Sequence, residues 1–302
     1  LAMVDRERTL ALLDAPSNLG LRPPAEGLVP GCYKAPGVLR DAGLLDRLGA
    51  VEAGVVTAGR YRPDWTPGVV RNEAAIAAHS RRLANRVQAL LHRHNLPVVL
   101  GGDCSILVGI GLALRRVGRF GLVSLDGLDY RHPGNMPDRV GAMGGESLAV
   151  VTGLGGALAE LDGLRPYLRS ADTVAMGIRP DDECADEAAG NGLHLVDAIE
   201  VSNDPAAAAA RALDVVERAD LDGFWIHVDA DVLDPELMPA VDAPDPGGLT
   251  FDQLTTVLRV LLGSPGVVGI DLTIYDPDLD PDLSGGRRLA DLLADVLAGT
   301  GQ

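Results

Sequence analysis

Short apolar runs alternate along this chain with longer stretches in which apolar residues return every three or four positions. The runs Val55–Ala58, Pro97–Leu100, Gly121–Leu125, Thr173–Gly177, Gly223–Val228 and Val267–Leu272 read as strands buried on both faces. Between them, Asn72–His94, Ser105–Arg116, Pro205–Ala219 and Thr250–Leu262 carry the helical spacing, and an amphipathic helix from about Arg287 to Leu297 closes the pattern. The alanine run Pro205–Ala212 opens a helix rather than a linker, with Asn203 or Asp204 as its cap. Strand–helix alternation of this kind predicts an α/β fold, a parallel sheet with helices on both faces. No repeat, low-complexity linker or shift of composition divides it, so one domain over residues 1–302 is expected. In such sheets chemistry gathers where the strands end, at their carboxyl edge.

Composition narrows the partners. A net charge of −17 argues against nucleic acid or an anionic membrane and suits a small, cationic ligand or a merely solvated acidic surface. No apolar run reaches the ~20 residues of a membrane span, and no signal peptide is read ahead of the first helical stretch. Cys32, Cys104 and Cys184 are too scattered for a disulfide framework, so a reducing cytoplasm is the expected location.

Three strand ends stand out. Val98–Leu100 turns through Gly101-Gly102-Asp103-Cys104-Ser105 into a helix. Leu122–Leu125 runs into Asp126-Gly127-Leu128-Asp129-Tyr130. Trp225–Val228 carries His227 and continues through Asp229, Asp231 and Asp234-Pro235. In extended chain, residues i and i+2 share a face, so His227, Asp229 and Asp231 point the same way. Carboxylates converging from separate strands signal a divalent cation, because bare like charges at short range do not all stay ionised.

These segments resemble the arginase/agmatinase (ureohydrolase) family, whose members carry a GGDHS turn, a DAHxD strand end, an SxDxDxxDP strand end and a PGTGTPxPGGLT loop. The last corresponds to Pro239–Thr250 here. Ala35–Arg40 is similar to the family's GPxxLR start and Gly177–Asp182 to its GxRDxD turn. The resemblance runs over roughly residues 30 to 280. It implies a three-layer fold with about eight parallel strands, a homo-oligomer (trimer or hexamer), and two manganese ions held by two histidines and four aspartates. Carried over position by position, Asp126, Asp229 and Asp231 remain as metal ligands. The histidine positions are Cys104 and Leu128, and the last aspartate is Tyr130. The family's proton-shuttling histidine falls near Met143 and its guanidinium-clamping glutamate near Ile274, whereas Asp182 keeps a substrate-side acid. Leucine donates nothing to a metal, and isoleucine cannot offset a buried guanidinium charge.

Two arrangements answer the three remaining carboxylates. One is a single cation on Asp126, Asp229 and Asp231 with help from Cys104 or His227; a thiolate there favours zinc or iron over manganese. The other is no metal, with carboxylates protonated or paired with Arg131 or another arginine. Cys104, at a helix start, reads as an activated nucleophile or an inert core thiol. His227 reads as a base, a ligand or a hydrogen-bonded core histidine. Tyr130 donates to a ligand or fills the metal's space, and His132 lines the pocket or sits on an exposed loop. The expectation is therefore a ureohydrolase homologue without the ordinary two-manganese reaction, acting as a non-hydrolytic ligand-binding or regulatory protein. The alternative is a divergent C–N hydrolase for a guanidino, amidino or other amine-bearing small molecule, using one metal or the Cys104 and aspartate cluster.

Overall fold

Eight parallel strands form one sheet in the computed structural model, which describes residues 8–298. They are β1 (Leu10–Ala15), β2 (Val51–Val55), β3 (Leu96–Gly101), β4 (Gly121–Leu125), β5 (Thr173–Ile178), β6 (His194–Asp197), β7 (Phe224–Asp229) and β8 (Val267–Thr273), in the spatial order β2-β1-β3-β8-β7-β4-β5-β6. The ends of the expected 1–302 domain, and the first residues on which the expectation of no signal peptide rests, lie outside the described residues. Helices pack on the sheet against two apolar layers, one around Leu12, Val123, Ile226 and Leu258, the other around Leu13, Val99, Leu122 and Trp225. The expected eight-stranded parallel sheet with flanking helices is what forms.

The five long helices start within three residues of where the spacing places them: Glu73–His92, Ile106–Val117, Pro205–Val216, Phe251–Leu262 and Ser284–Leu297. Their caps follow from local chemistry. Asp204, not Asn203, caps the alanine-rich helix by accepting from the Ala207 N–H, with Pro205 at the first turn. Thr250 and Gln253 form a reciprocal capping box.

Three strands differ from the expectation. The run Val55–Ala58 is only touched by β2, which lies earlier and at the sheet edge with Val51, Glu52 and Val55 exposed. Pairing on one side only leaves such a strand half solvated, so it lacks the double-sided apolar signature. Strands β1 and β6 have no counterpart among the expected runs.

The order places β3, β8, β7 and β4 side by side although they come from three separate parts of the chain. Their carboxyl ends therefore bring Cys104, Thr273, Asp229 and Asp126 together. Among the described residues no helix is long and apolar enough to cross a membrane.

Candidate metal centre

The turn after β3 is fixed before any ligand chemistry is considered. Asp103, fully buried, accepts from Ser17 Oγ at 2.9 Å, from the Gly20 N–H at 3.0 Å and from the Ser105 N–H at 2.7 Å. Gly102 is required here because a Cβ would lie 1.7 Å from the Ser17 carbonyl oxygen. These contacts lock the start of the Ile106–Val117 helix and aim Cys104 across the sheet edge.

Cys104 Sγ lies 2.8 Å from Asp229 Oδ2, to which it donates, and 3.4 Å from Thr273 Oγ1. Asp229 turns its other oxygen to the Asp231 N–H at 2.7 Å. Beside them, His227 Nε2 stands 3.6 Å from Asp126 Oδ2. Ligand atoms of Cys104, Asp126, His227 and Asp229 all fall within 4.8 Å of one another, and all four residues are buried.

The imidazole of His227 is held from behind. Register pairs His227 with Asp271 on neighbouring strands, so the two side chains share a face. The Nδ1–Asp271 Oδ2 distance is 2.6 Å, and Trp225 Nε1 donates to the other oxygen of Asp271, also at 2.6 Å. Trp225 lies over Gly269, where a Cβ would fall 2.1 Å from the indole. With Nδ1 committed to Asp271, Nε2 is aimed into the cluster. It is among the few buried side-chain polar atoms of the described residues that have no hydrogen-bond partner, since 3.6 Å is too long for one.

Electrostatics tells the same story. Burial pulls the His227 imidazole down, but the carboxylates of Asp271 and Asp126 outweigh it and push it up to about 10. Burial and the charges of Asp229, Asp126 and Asp129 push the Cys104 thiol well up. The helix start thus does not activate this thiol; without a cation it is a proton donor to Asp229. Burial, together with neighbouring carboxylates, also raises Asp129, Asp229 and Asp231 well above the ordinary range. In the metal-free protein the raised imidazole is protonated and lies between Asp126 at 3.6 Å and Asp271 at 2.6 Å, beside a surplus of buried acid.

The other expected residues fall elsewhere. Asp231 belongs to the acidic group electrostatically, but its carboxylate is not among the four converging donors. The Tyr130 side chain is fully buried, its hydroxyl accepting from Asn191 Nδ2 at 3.3 Å and its ring edge-on to His132 at 6.0 Å. His132 is tied into its loop, with Nδ1 accepting from the Gly134 N–H and Nε2 3.0 Å from Glu187. Asp182 accepts from the Cys184 N–H, and burial raises its carboxyl. None of these three is brought to the cluster. Asp129, in contrast, faces it: its carboxylate accepts from Ser147 Oγ at 2.9 Å and feels the charges of Asp126 and Asp231.

Reasoning from the sequence missed Asp271, Trp225 and Asp129. A signal for Asp271 was present, as the lone charge inside the apolar strand Val267–Thr273.

A strand edge of a parallel sheet that gathers carboxylates, a thiol and an imidazole in one buried group is the layout of an α/β protein with a candidate metal centre. The chain belongs to the arginase family, whose model matches residues 15–299. It is 27% identical over 305 residues to an arginase of Agrobacterium fabrum, covering 96% of this chain and 90% of that one. Its fold superposes on the arginase of Bacillus caldovelox with a TM-score of 0.85 at 23% identity, covering 96% of this chain and 98% of that one. The proclavaminate amidino hydrolase of Streptomyces clavuligerus gives 0.72 at 22% identity, with 98% and 93% covered.

The two-manganese centre implied by the family does not fit these residues. The positions that would complete it hold Leu128 and Tyr130, both buried in the apolar layer. Met143 and Ile274, at the shuttle and clamp positions, are buried as well. What remains is one compact set of four donors.

Proposed function

We propose that this chain is a divergent hydrolase of the arginase family that works with one cation in place of two. Its substrate in this reading is a guanidino, amidino or other amine-bearing small molecule, and not arginine or agmatine cleaved by the two-manganese reaction. The observation that carries it is His227 Nε2, buried without a hydrogen-bond partner and grouped with the donors of Cys104, Asp126 and Asp229. A cation held by Cys104, Asp126, His227 and Asp229 would supply Lewis-acid activation for attack by water on the substrate's C–N carbon.

The chain's own residues supply the rest. Asp129 and Asp231 border the cluster with raised carboxyl groups, suited to exchanging a proton with a leaving amine. Asp242 has solvent access yet sits deep among protein atoms. That enclosure, with the charges of Asp103, Asp276 and Asp126, pushes its carboxyl up to about 6. Arg179 donates to the carbonyls of Asp231, Asp245 and Pro246 and so pins the acidic loop. A net charge of −17 supports a cationic ligand, and a homo-oligomer is part of the same proposal by analogy with the family.

One observation favours a second reading, a non-hydrolytic ligand-binding or regulatory protein: Met143 and Ile274 leave neither a proton shuttle nor a guanidinium clamp. Release of urea, ammonia or amine from a panel of guanidines, amidines and amides, by protein loaded with one equivalent of zinc or iron(II), separates the two. Turnover of a panel member that is lost in Asp126→Asn supports the hydrolase. Binding without turnover across the panel favours the second reading, and brisk manganese-dependent urea release from arginine contradicts both.

A further inference from the structure

The family positions that should carry imidazoles carry Cys104 and Leu128, yet an imidazole points into the cluster from a position where the family motif has serine. We infer that His227 has taken over the lost histidine role, so that Cys104, Asp126, His227 and Asp229 form a mononuclear site for a borderline-soft divalent cation of the zinc class. This rests on the single-cation reading above and deepens it by assigning the ligands, the metal class and the groups that orient them.

Three independent features support the assignment. First, His227 Nε2 is fully buried, has no hydrogen-bond partner and faces Asp126 Oδ2 at 3.6 Å. Metal–nitrogen and metal–oxygen bonds of about 2.0–2.1 Å put tetrahedral ligand atoms roughly 3.3–3.5 Å apart, close to that spacing. Second, the imidazole is backed by Asp271, and Asp271 by Trp225, each at 2.6 Å. A carboxylate behind a histidine is the arrangement that fixes the tautomer and ring orientation of a metal ligand and raises its basicity. Third, the fourth donor is a buried thiol that, without a cation, gives its proton to a hydrogen bond with Asp229. A thiolate, an imidazole and two carboxylates suit zinc, iron(II) or cobalt(II), whereas manganese prefers an oxygen-rich, six-coordinate shell.

The positioning pair has its own seat. Only the absence of a side chain at Gly269 lets Trp225 lie where its indole N–H reaches Asp271. Gly269→Ala therefore acts on the imidazole through two intermediaries without touching a ligand.

Cobalt(II) is the probe, titrated into full-length protein stripped with a chelator. The expected complex is stoichiometric, with the intense visible bands of a four-coordinate ion and a thiolate-to-cobalt charge-transfer band in the near ultraviolet. Cys104→Ser should abolish the charge-transfer band while cobalt still binds. His227→Gln should weaken binding by at least about tenfold, and Asp271→Asn or Gly269→Ala by about 10- to 100-fold. Zinc should displace the cobalt at equivalence and manganese should not. Far-ultraviolet circular dichroism shows which variants fold, and Cys104→Ser, nearly isosteric, keeps the test decisive if the others do not. A pale six-coordinate spectrum without charge transfer, or an affinity unchanged in both Cys104→Ser and His227→Gln, would overturn the assignment. A cobalt site that behaves as described in a protein that hydrolyses nothing leaves the assignment standing and removes only the proposed reaction.

Discussion

Two sides of one sheet edge have gone different ways. On the β7 and β8 side, His227, Asp229 and Asp271 are polar, buried and mutually oriented, and Cys104 closes on them from the end of β3. On the side that follows β4, the corresponding family positions hold Leu128, Tyr130 and Met143, which pack into the apolar layer with Leu148, Val151 and Tyr167. A buried polar group is costly unless paired, so keeping four donors together while filling the neighbouring space with hydrocarbon is a coherent pattern. In the reading proposed above, one centre is rebuilt and the other packed shut.

Each side can be tested against this contrast. The largest expected effect is on the packed side. Tyr130→Ala should destabilise the protein by about 3–5 kcal/mol in chemical denaturation, the cost of truncating a large core side chain. A loss below about 1 kcal/mol would mean that this side is still a wet ligand site. On the polar side, Asp271→Ala removes the acceptor of both Trp225 and His227 and should cost about 3 kcal/mol in chelator-treated protein. Next, zinc at a hundredfold excess over its dissociation constant should raise the unfolding free energy by about 2.7 kcal/mol. Manganese at the same concentration should raise it far less, and equal stabilisation by the two would erase the distinction between the sides.

The smallest effect concerns two of the buried histidines, His79 and His227. His79 lies on the Glu73–His92 helix with Nε2 2.9 Å from the Val56 carbonyl, and burial lowers its pKa. Its folded value lies below the unfolded one of about 6.5, so its contribution is complete above that pH and fades as pH falls through it. His227 runs the opposite way. With a folded value of about 10, its contribution in metal-free protein is complete below about 6.5 and fades as pH rises towards the folded value. Denaturation against pH of protein stripped of metal and freed of chelator should show the acid-side slope removed by His79→Gln and the alkaline-side slope removed by added zinc.

Much of this was legible in the residues and some was not. The continuous apolar runs and the 3.6-residue spacing reveal β3, β4, β5, β7, β8 and all five long helices, because those elements bury continuous faces, whereas β1, buried throughout, has no counterpart. Strand β6 is only four residues long, and its first residue, His194, is exposed; β2 is a half-solvated edge. Neither has a face long enough to set a period. In the site, the carboxylates were legible because β7 runs straight into Asp229. The residues after Asp126 were not, since the chain leaves the strand there. Position-by-position alignment puts Tyr130 at a ligand position, but outside a strand the alternation of faces is lost, so Asp129 turns to the acids and Tyr130 into the core. The partnership of His227 with Asp271 depends on β7 and β8 being neighbours in register, a fact of topology that no local pattern carries.

Ile274 sharpens the contrast in another way. It holds a left-handed backbone (φ 72°), unfavourable for a β-branched residue, while its N–H donates to the Gly102 carbonyl at 2.7 Å. The left-handed turn at the end of β8 is thus tied to the turn after β3, and the side chain there is apolar and buried.

The central claim is tested most directly by the metal content of protein purified without chelators, measured by elemental analysis per chain. The account predicts one cation of the zinc class per chain, lost in the Cys104→Ser/His227→Gln double variant. Two manganese ions per chain, retained in that variant, would contradict it.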